Sequence, residues 1–297
     1  LARFYDDQIA LAETVLWAAV PHRSPGWKYC VVPQTRVLNG NLQWVAAGEL
    51  RVGDSLLAFT EPNLARGQVR KYEAAFVTAA ARQTLPVYEI TLETGEKLQA
   101  TGNHRWLARG YVGKCKKIRW LRTDEMAGKR VSLPRFLPVW EPDKSYEAGV
   151  VAGGLSGEGC LGRQEQQGRA SFYLTFSQKD NALLAEVESY LGARGVLFSR
   201  RTNGPVIDLR VQGGFAAIVA VLGTFRPSRL LGRWRDLLLG SLPQMCAQEY
   251  VSVLSVSLVG DREIVALGTS SETYLAEGFG SHNTYAPTLR DVLFKEL

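Results

Sequence analysis

Three histidines, four cysteines and two methionines are all that 297 residues supply of imidazole and sulfur. His22, His104 and His282 stand far apart and leave little room for a His-rich metal site. Cys30, Cys115, Cys160 and Cys246 contain no C-x-x-C pair, which argues against a zinc ribbon or a disulfide framework. No run of 18 apolar residues exists, so no membrane span or membrane partner is expected. The first twenty residues carry Asp6, Asp7 and Glu13, where a signal peptide would have a basic start and an acid-free apolar core. The expectation is a reduced, cytoplasmic protein. Leu1 in place of Met, and an end at Leu297 just after a helix-like stretch, suggest a fragment of a longer chain.

What is present is an ordinary globular composition. With 46% hydrophobic and 22% charged residues, disorder is not the main state. The net charge of +6 is unevenly placed. Arg105–Arg135 holds ten Lys/Arg against two acids, and Arg194–Arg235 holds eight Arg against one. Two such blocks fit either a polyanion partner or a solvated surface.

The hydrophobic pattern changes character along the chain. Ala2–Val20 has apolar residues at helical spacing, closed by Pro21 and Pro25. From Cys30 to Pro138 short β-type runs follow: Thr35–Leu38, Ser55–Phe59, Val87–Leu92, Lys97–Ala100 and Arg130–Leu133. Asn39-Gly40, Gly53-Asp54 and Thr94-Gly95 separate them as hairpin turns. Pro134, Pro138 and Pro142 mark a boundary. Helices then read at Tyr146–Leu155, Asn181–Leu191, Gly214–Leu222 and Leu230–Leu239. Strands read at Ala170–Phe176, Val196–Arg200 and Val206–Val211, an α+β order. After Pro243 the pattern returns to β at Tyr250–Val259, Glu263–Leu267 and Thr273–Ala276, and residues 284–297 look helical. The two β segments flank the α/β one, as one domain carrying an insertion would.

The chemistry-bearing residues sit at the ends of the β segments. The first opens with Cys30-Val-Val-Pro-Gln-Thr35-Arg-Val and continues to Gly48-Glu-Leu-Arg-Val-Gly-Asp54. Its middle holds Thr94-Gly-Glu-Lys-Leu-Gln-Ala-Thr101-Gly-Asn-His104, and the second segment closes with Thr273-Tyr-Leu-Ala-Glu-Gly-Phe-Gly-Ser-His-Asn283-Thr284. At these positions residues 30–283 resemble an intein, a self-splicing element with the Hint (hedgehog/intein) fold. The residue types suit the reaction. A thiol at Cys30 attacks the carbonyl of Tyr29, an amide that needs oxyanion stabilisation and proton transfer. His104 suits the proton transfer, because imidazole titrates near neutrality. Thr101 holds that imidazole or donates to the oxyanion. The resemblance implies that Thr284 accepts the acyl group as an oxygen ester, that Asn283 cyclises on its own backbone carbonyl with His282 beside it, and that Tyr29 is joined to Thr284. It implies no cofactor for splicing, with the chain's own flanks as partners. Many inteins carry an acid and a second His in the block before the terminus, where this chain has Ala266 and Glu272.

Inside the insert, Val151-Ala-Gly-Gly-Leu-Ser-Gly-Glu158-Gly159 resembles the nine-residue signature of the LAGLIDADG (DOD-type) homing endonucleases, identical at Ala152, Gly153 and Gly159. The resemblance implies that Glu158 binds Mg²⁺ for cleavage of double-stranded DNA. Gly149, Gly153 and Gly157 form one helix stripe through which two such helices pack. With a single motif, the domain is expected to act as a homodimer. Lys179, Arg200, Arg201 and Arg210 are the DNA-contact candidates, for phosphates first and base edges second.

The expected architecture is therefore an all-β Hint domain interrupted by an α+β LAGLIDADG-type domain of αββαββα order. Its segments are 1–29 and 284–297 as flanks, 30–140 and 248–283 as the two Hint parts, and 141–247 as the endonuclease. Two alternatives remain: a splicing element with a degenerate endonuclease, and an inactive Hint domain with a DNA-binding insert.

Overall fold

The computed structural model describes residues 30–62, 68–112, 115–166 and 169–283. The helices expected at 2–20 and 284–297, and the junction residues Tyr29 and Thr284, lie outside them.

Fifteen strands and four helices are named in chain order. The strands before the helical region are β1 (Arg36–Leu38), β2 (Trp44–Ala46), β3 (Ser55–Phe59), β4 (Tyr72–Leu92), β5 (Lys97–Thr101), β6 (Arg105–Val112), β7 (Cys115–Arg122) and β8 (Ser132–Arg135). There follow α1 (Tyr146–Glu158), β9 (Gly159–Gln166), β10 (Arg169–Gln178), α2 (Ala182–Ala193), β11 (Phe198–Asn203), β12 (Val206–Val211), α3 (Gly214–Phe225) and α4 (Ser228–Leu238). The chain ends in β13 (Glu249–Thr269), β14 (Thr273–Ala276) and β15 (Phe279–His282).

Eleven strands from both β segments share one sheet, in the order β2-β1-β14-β15-β6-β8-β13-β4-β3, with β5 on β4 and β7 on β6. β15 pairs with β14, β6 and β8, and these branched pairings curl the sheet on itself. The α/β segment forms its own four-stranded antiparallel sheet, β11-β12-β10-β9. Leu161, Phe172, Leu174, Phe176, Ile207 and Leu209 are buried from it in a core shared with residues of all four helices.

The longest pairing differs from the sequence reading. β4 and β13 are 21 residues each and run antiparallel from Val253↔Leu92 to Thr269↔Val77. The expected break at Gly260-Asp261 is a bulge within one continuous strand: the register shifts between Leu258 and Gly260, and Gly260 takes φ +92°, which glycine adopts without steric cost. The front half of β4 escaped notice because its alanines (Ala74, Ala75, Ala79, Ala80, Ala81) carry little strand propensity. The hairpin β6–β7 was hidden by its lysines and arginines, which strands disfavour, although Ile118, Trp120 and Leu121 pack from it onto the cores.

The two units are bonded at the β1–β2 loop. Asn39 Oδ1 accepts from the amides of Asn41 and Gln43, holding the loop in a tight turn. The backbone carbonyls it presents are taken by the α/β segment and its entry: Gly40 O by Trp234 Nε1 at 2.8 Å and Leu42 O by Trp140 Nε1 at 3.1 Å. Gly223 on α3 lies so close that a Cβ there would stand 2.0 Å from Trp140 Nε1. Leu38, Leu42, Phe59 and Tyr72 join the helical core in one continuous buried cluster. Among the described residues no helix is long and apolar enough to cross a membrane.

Candidate active site

Cys30 is held at both of its backbone groups. Val31 exchanges two hydrogen bonds with Val265 of β13, at 3.1 and 2.7 Å, and bridges to Ala100 of β5. That clamp sets Cys30 against the end of β5. The Thr101 amide donates to Cys30 O at 3.0 Å, and Cys30 N–H donates to Thr101 Oγ1 at 3.2 Å. The Thr101 hydroxyl has one proton. Asn103 Oδ1 at 2.8 Å is the better acceptor than Cys30 O at 3.4 Å, so the oxygen remains an acceptor for Cys30 N–H. The Cys30 side chain is fully buried with Val32, Val87, Ile264 and Ala266. Ala266, noted in the sequence where many inteins carry an acid, is thus a methyl packed in the thiol's own cluster, and a methyl takes no proton.

His104 closes the turn after β5. Its amide donates to Thr101 O at 2.9 Å, and its carbonyl accepts from the amide and hydroxyl of Thr123 at 2.8 and 3.3 Å. Thr123 Oγ1 also accepts from Trp106 Nε1 at 3.2 Å, and the Trp106 and His104 rings lie 4.6 Å apart. The imidazole is fully buried, with Nε2 3.0 Å from Ser281 Oγ.

Ser281 belongs to β15, the strand that leads to Asn283. The β14–β15 hairpin pairs Thr273 with His282 and Tyr274 with Ser281. Asn283 follows, buried; its amide donates to Glu272 O at 2.9 Å. Its side-chain Nδ2 donates to Thr269 O at 3.1 Å, and its Oδ1 has no hydrogen-bond partner among the described residues. The side-chain amide is therefore restrained by Thr269. His282 Nδ1 lies 3.1 Å from Asn283 O, the carbonyl that cyclisation would attack, and its ring packs edge-on against Trp120 at 5.1 Å. Glu272, the residue noted where many inteins carry a His, is exposed; its backbone carbonyl accepts from Asn283 and its amide donates to Thr269 O at 3.2 Å. The structure thus brings Cys30, Thr101 and His104 together and ties them through Ser281 to the strand carrying His282 and Asn283. Ser281, Tyr274, Asn103 and Thr269 are the site residues that sequence reasoning did not single out.

The α/β segment carries the other candidates. Glu158 is the last residue of α1 and is exposed. Arg229 of α4 donates to the carbonyls of Ser156, Gly157 and Gly159 around it, capping the helix end with a cation. No group of three His, Cys, Asp or Glu suited to a metal exists among the described residues. Mg²⁺ prefers near-octahedral oxygen ligation. One carboxylate, with a guanidinium on the adjoining carbonyls, does not make that site within a single chain. Gly149, Gly153 and Gly157 are exposed on α1 with no neighbouring atom within 4 Å of a Cβ added at any of them.

The strand pairings sort the basic candidates by face. Arg201 pairs with Asp208, and Arg210 with Ser199 and Thr175, all on the sheet face away from the helices. Arg210 stacks over Tyr173 at 5.6 Å. Arg200 pairs with buried Leu209, on the helix side, and bonds Glu188 of α2 at 3.0 Å. Lys179 is exposed just beyond the end of β10.

No protein-family profile and no curated protein sequence matches the chain. Solved structures similar to it include a DnaB intein from Synechocystis sp. PCC 6803, at 12% identity and TM-score 0.38, covering 86% of this chain and 99% of that one. The gp41-1 intein is similar at 9% identity and TM-score 0.36, covering 86% and 98%. The transcription factor IIB Mvu mini-intein is similar at 13% identity and TM-score 0.35, covering 86% and 99%.

Proposed function

We propose that residues 30–283 excise themselves by protein splicing. The observation that carries this reading is the backbone grip of Thr101 on Cys30, joined through His104 and Ser281 to the strand that delivers His282 and Asn283. The Cys30 thiol attacks the Tyr29 carbonyl carbon, and the bond from that carbon to Cys30 N breaks. The nitrogen leaves as an amine, which requires a proton; His104 supplies it and takes up the proton the thiol loses, while Thr101 Oγ1 keeps the nitrogen oriented. The Thr284 hydroxyl then takes the acyl group from sulfur, and the thiol is restored. Asn283 Nδ2 attacks its own carbonyl carbon, the Asn283–Thr284 bond breaks, and a succinimide forms. With its proton on Nδ1, His282 polarises that carbonyl from 3.1 Å. The freed Thr284 amine takes the acyl group from its own oxygen, leaving a peptide bond between Tyr29 and Thr284.

Intact mass of the chain expressed in a bacterial cytoplasm tests this. The expected products are an element from Cys30 to Asn283 and a joined peptide of residues 1–29 and 284–297. The joined peptide should be absent from Asn283→Ala. Persistence of the unchanged chain over days would leave an inactive domain.

For the α/β segment we propose a DNA-docking role on the sheet face of Arg201 and Arg210, with Lys179 at its rim. Cleavage needs more carboxylate than one chain offers. The uncovered glycine stripe on α1 favours a homodimer as the arrangement that would supply it. Nicking and double-strand cutting of a library of near-palindromic duplexes, with Mg²⁺ or with chelator, checks this. The expected result is Mg²⁺-dependent cutting lost in Glu158→Gln. Salt-dependent binding without any cutting would reduce the segment to a degenerate endonuclease.

A further inference from the structure

The N-terminal reaction as drawn needs one nitrogen of His104 to carry a proton toward the Cys30 amide, and a neutral imidazole carries only one. Its Nε2 faces Ser281 Oγ at 3.0 Å. A proton exchanged at Cys30 therefore passes through Nδ1. For Nδ1 to hold it in the resting state, Nε2 must accept. Ser281 is able to donate there, since its hydroxyl is both donor and acceptor. Behind it stands Tyr274, its cross-strand partner, fully buried. Burial pushes this phenol far above its ordinary range; a hydrogen bond with the Ser281 side chain opposes that rise and Cys30 adds to it. Tyr274 thus stays protonated, a donor for Ser281. Ala266 supplies no acid here and Glu272 points to solvent.

We propose that Ser281 is a positioning residue that fixes the Nδ1–H tautomer of His104, with the Tyr274 hydroxyl as donor behind it. This rests on the splicing reading for its purpose, although not for its geometry. Ser281 sits one residue before His282 and two before Asn283, so the strand that presents the second junction also sets the proton of the first. Any shift of β15 that accompanies cyclisation at Asn283 changes His104 as well.

The chain's three histidines make nitrogen NMR of the full chain, labelled with ¹⁵N-histidine and held unreacted by Cys30→Ala, a direct test. His104→Gln assigns the signal. The expected result is the Nδ1–H tautomer, lost or mixed in Ser281→Ala and restored in Ser281→Thr. An unchanged tautomer in Ser281→Ala, or an Nε2–H tautomer in the parent, overturns the proposal. In parallel, thiol-induced cleavage at Cys30 in the Asn283→Ala background should slow about tenfold or more in Ser281→Ala, a part of the 10²–10⁴ that a positioned acid or base supplies. If that background does not cleave at all, the splicing reading falls, and the tautomer result still decides the role of Ser281.

Discussion

His104→Gln is expected to slow thiol-induced cleavage at Cys30 by about 10²–10⁴-fold in an Asn283→Ala background, the scale of one positioned general acid. Glutamine is chosen because an alanine would open a cavity beside Trp106 and take from the buried Ser281 hydroxyl its partner on His104. The glutamine side chain keeps a polar partner for Ser281 but holds no titratable proton. The second junction should respond differently. In the proposed reaction release at Asn283 draws on His282 Nδ1, which faces Asn283 O, and on Thr269 O, which accepts from Asn283 Nδ2. On that reading a Cys30→Ala chain should retain slow release of its C-terminal segment, and adding His104→Gln should change that rate far less. A time course by mass spectrometry separates the two. Equal slowing at both junctions would show that the substitution has disturbed β15 as a whole. No slowing at the first would move proton transfer elsewhere, with the Thr101–Asn103 pair bonded at Cys30 as the next group to test.

The proposed junction residues stand out in the sequence because splicing chemistry ties residue types to chain position. A nucleophile must follow one scissile bond and a cyclising Asn must precede the other, so Cys30 and His282-Asn283-Thr284 stand out as strings. Thr101 and His104 stand out for a similar reason, and the structure places both on a single tight turn against Cys30. What was not legible depends on strand register. Ser281 reaches His104 across 177 residues, and nothing local to Gly280-Ser281-His282 announces it. Tyr274 reads as an ordinary inward strand residue until β14 and β15 are paired. The same limit appears in the α/β segment. Glu158 was placed at a helix end from sequence, but the Arg229 that caps this end lies on another helix. Arg200 and Arg201 are neighbours in sequence, and period-two alternation sends them to opposite faces. The unread strands failed for compositional reasons: alanine in β4, lysine and arginine in β7.

Trp234→Ala is expected to lower stability by about 3–5 kcal/mol, the usual cost of deleting a buried Trp. An added penalty of order 1–3 kcal/mol arises if Gly40 O loses its buried donor without gaining water. The loss should not be confined to the α/β segment. Trp234 is fully buried between Phe172 and Phe215 on one side and the β1–β2 loop on the other, and its Nε1–H closes on Gly40 O. Leu38 and Leu42 belong to the same cluster as Leu231 and Leu237, so no seam of polar residues divides the two units. A shared core of this kind couples their unfolding. Chemical denaturation of the Cys30→Ala chain should therefore give one cooperative transition by fluorescence and by circular dichroism, moved to lower denaturant in Cys30→Ala/Trp234→Ala with little change in slope. Trp234→Phe, which keeps most of the packing and removes the N–H, should fall between them. Two resolved transitions, with only the weaker one moved, would mean that the segments fold independently and that the loop contact is incidental. A single transition has a consequence for splicing. The β1–β2 hairpin that Trp234 holds pairs directly with β14 through Val37↔Ala276, and β14 carries Tyr274 opposite Ser281. Loosening the insert should then slow the junction chemistry it never touches, and a normal splicing rate in Trp234→Ala would show that β14 is held well enough by β15 and β1 alone.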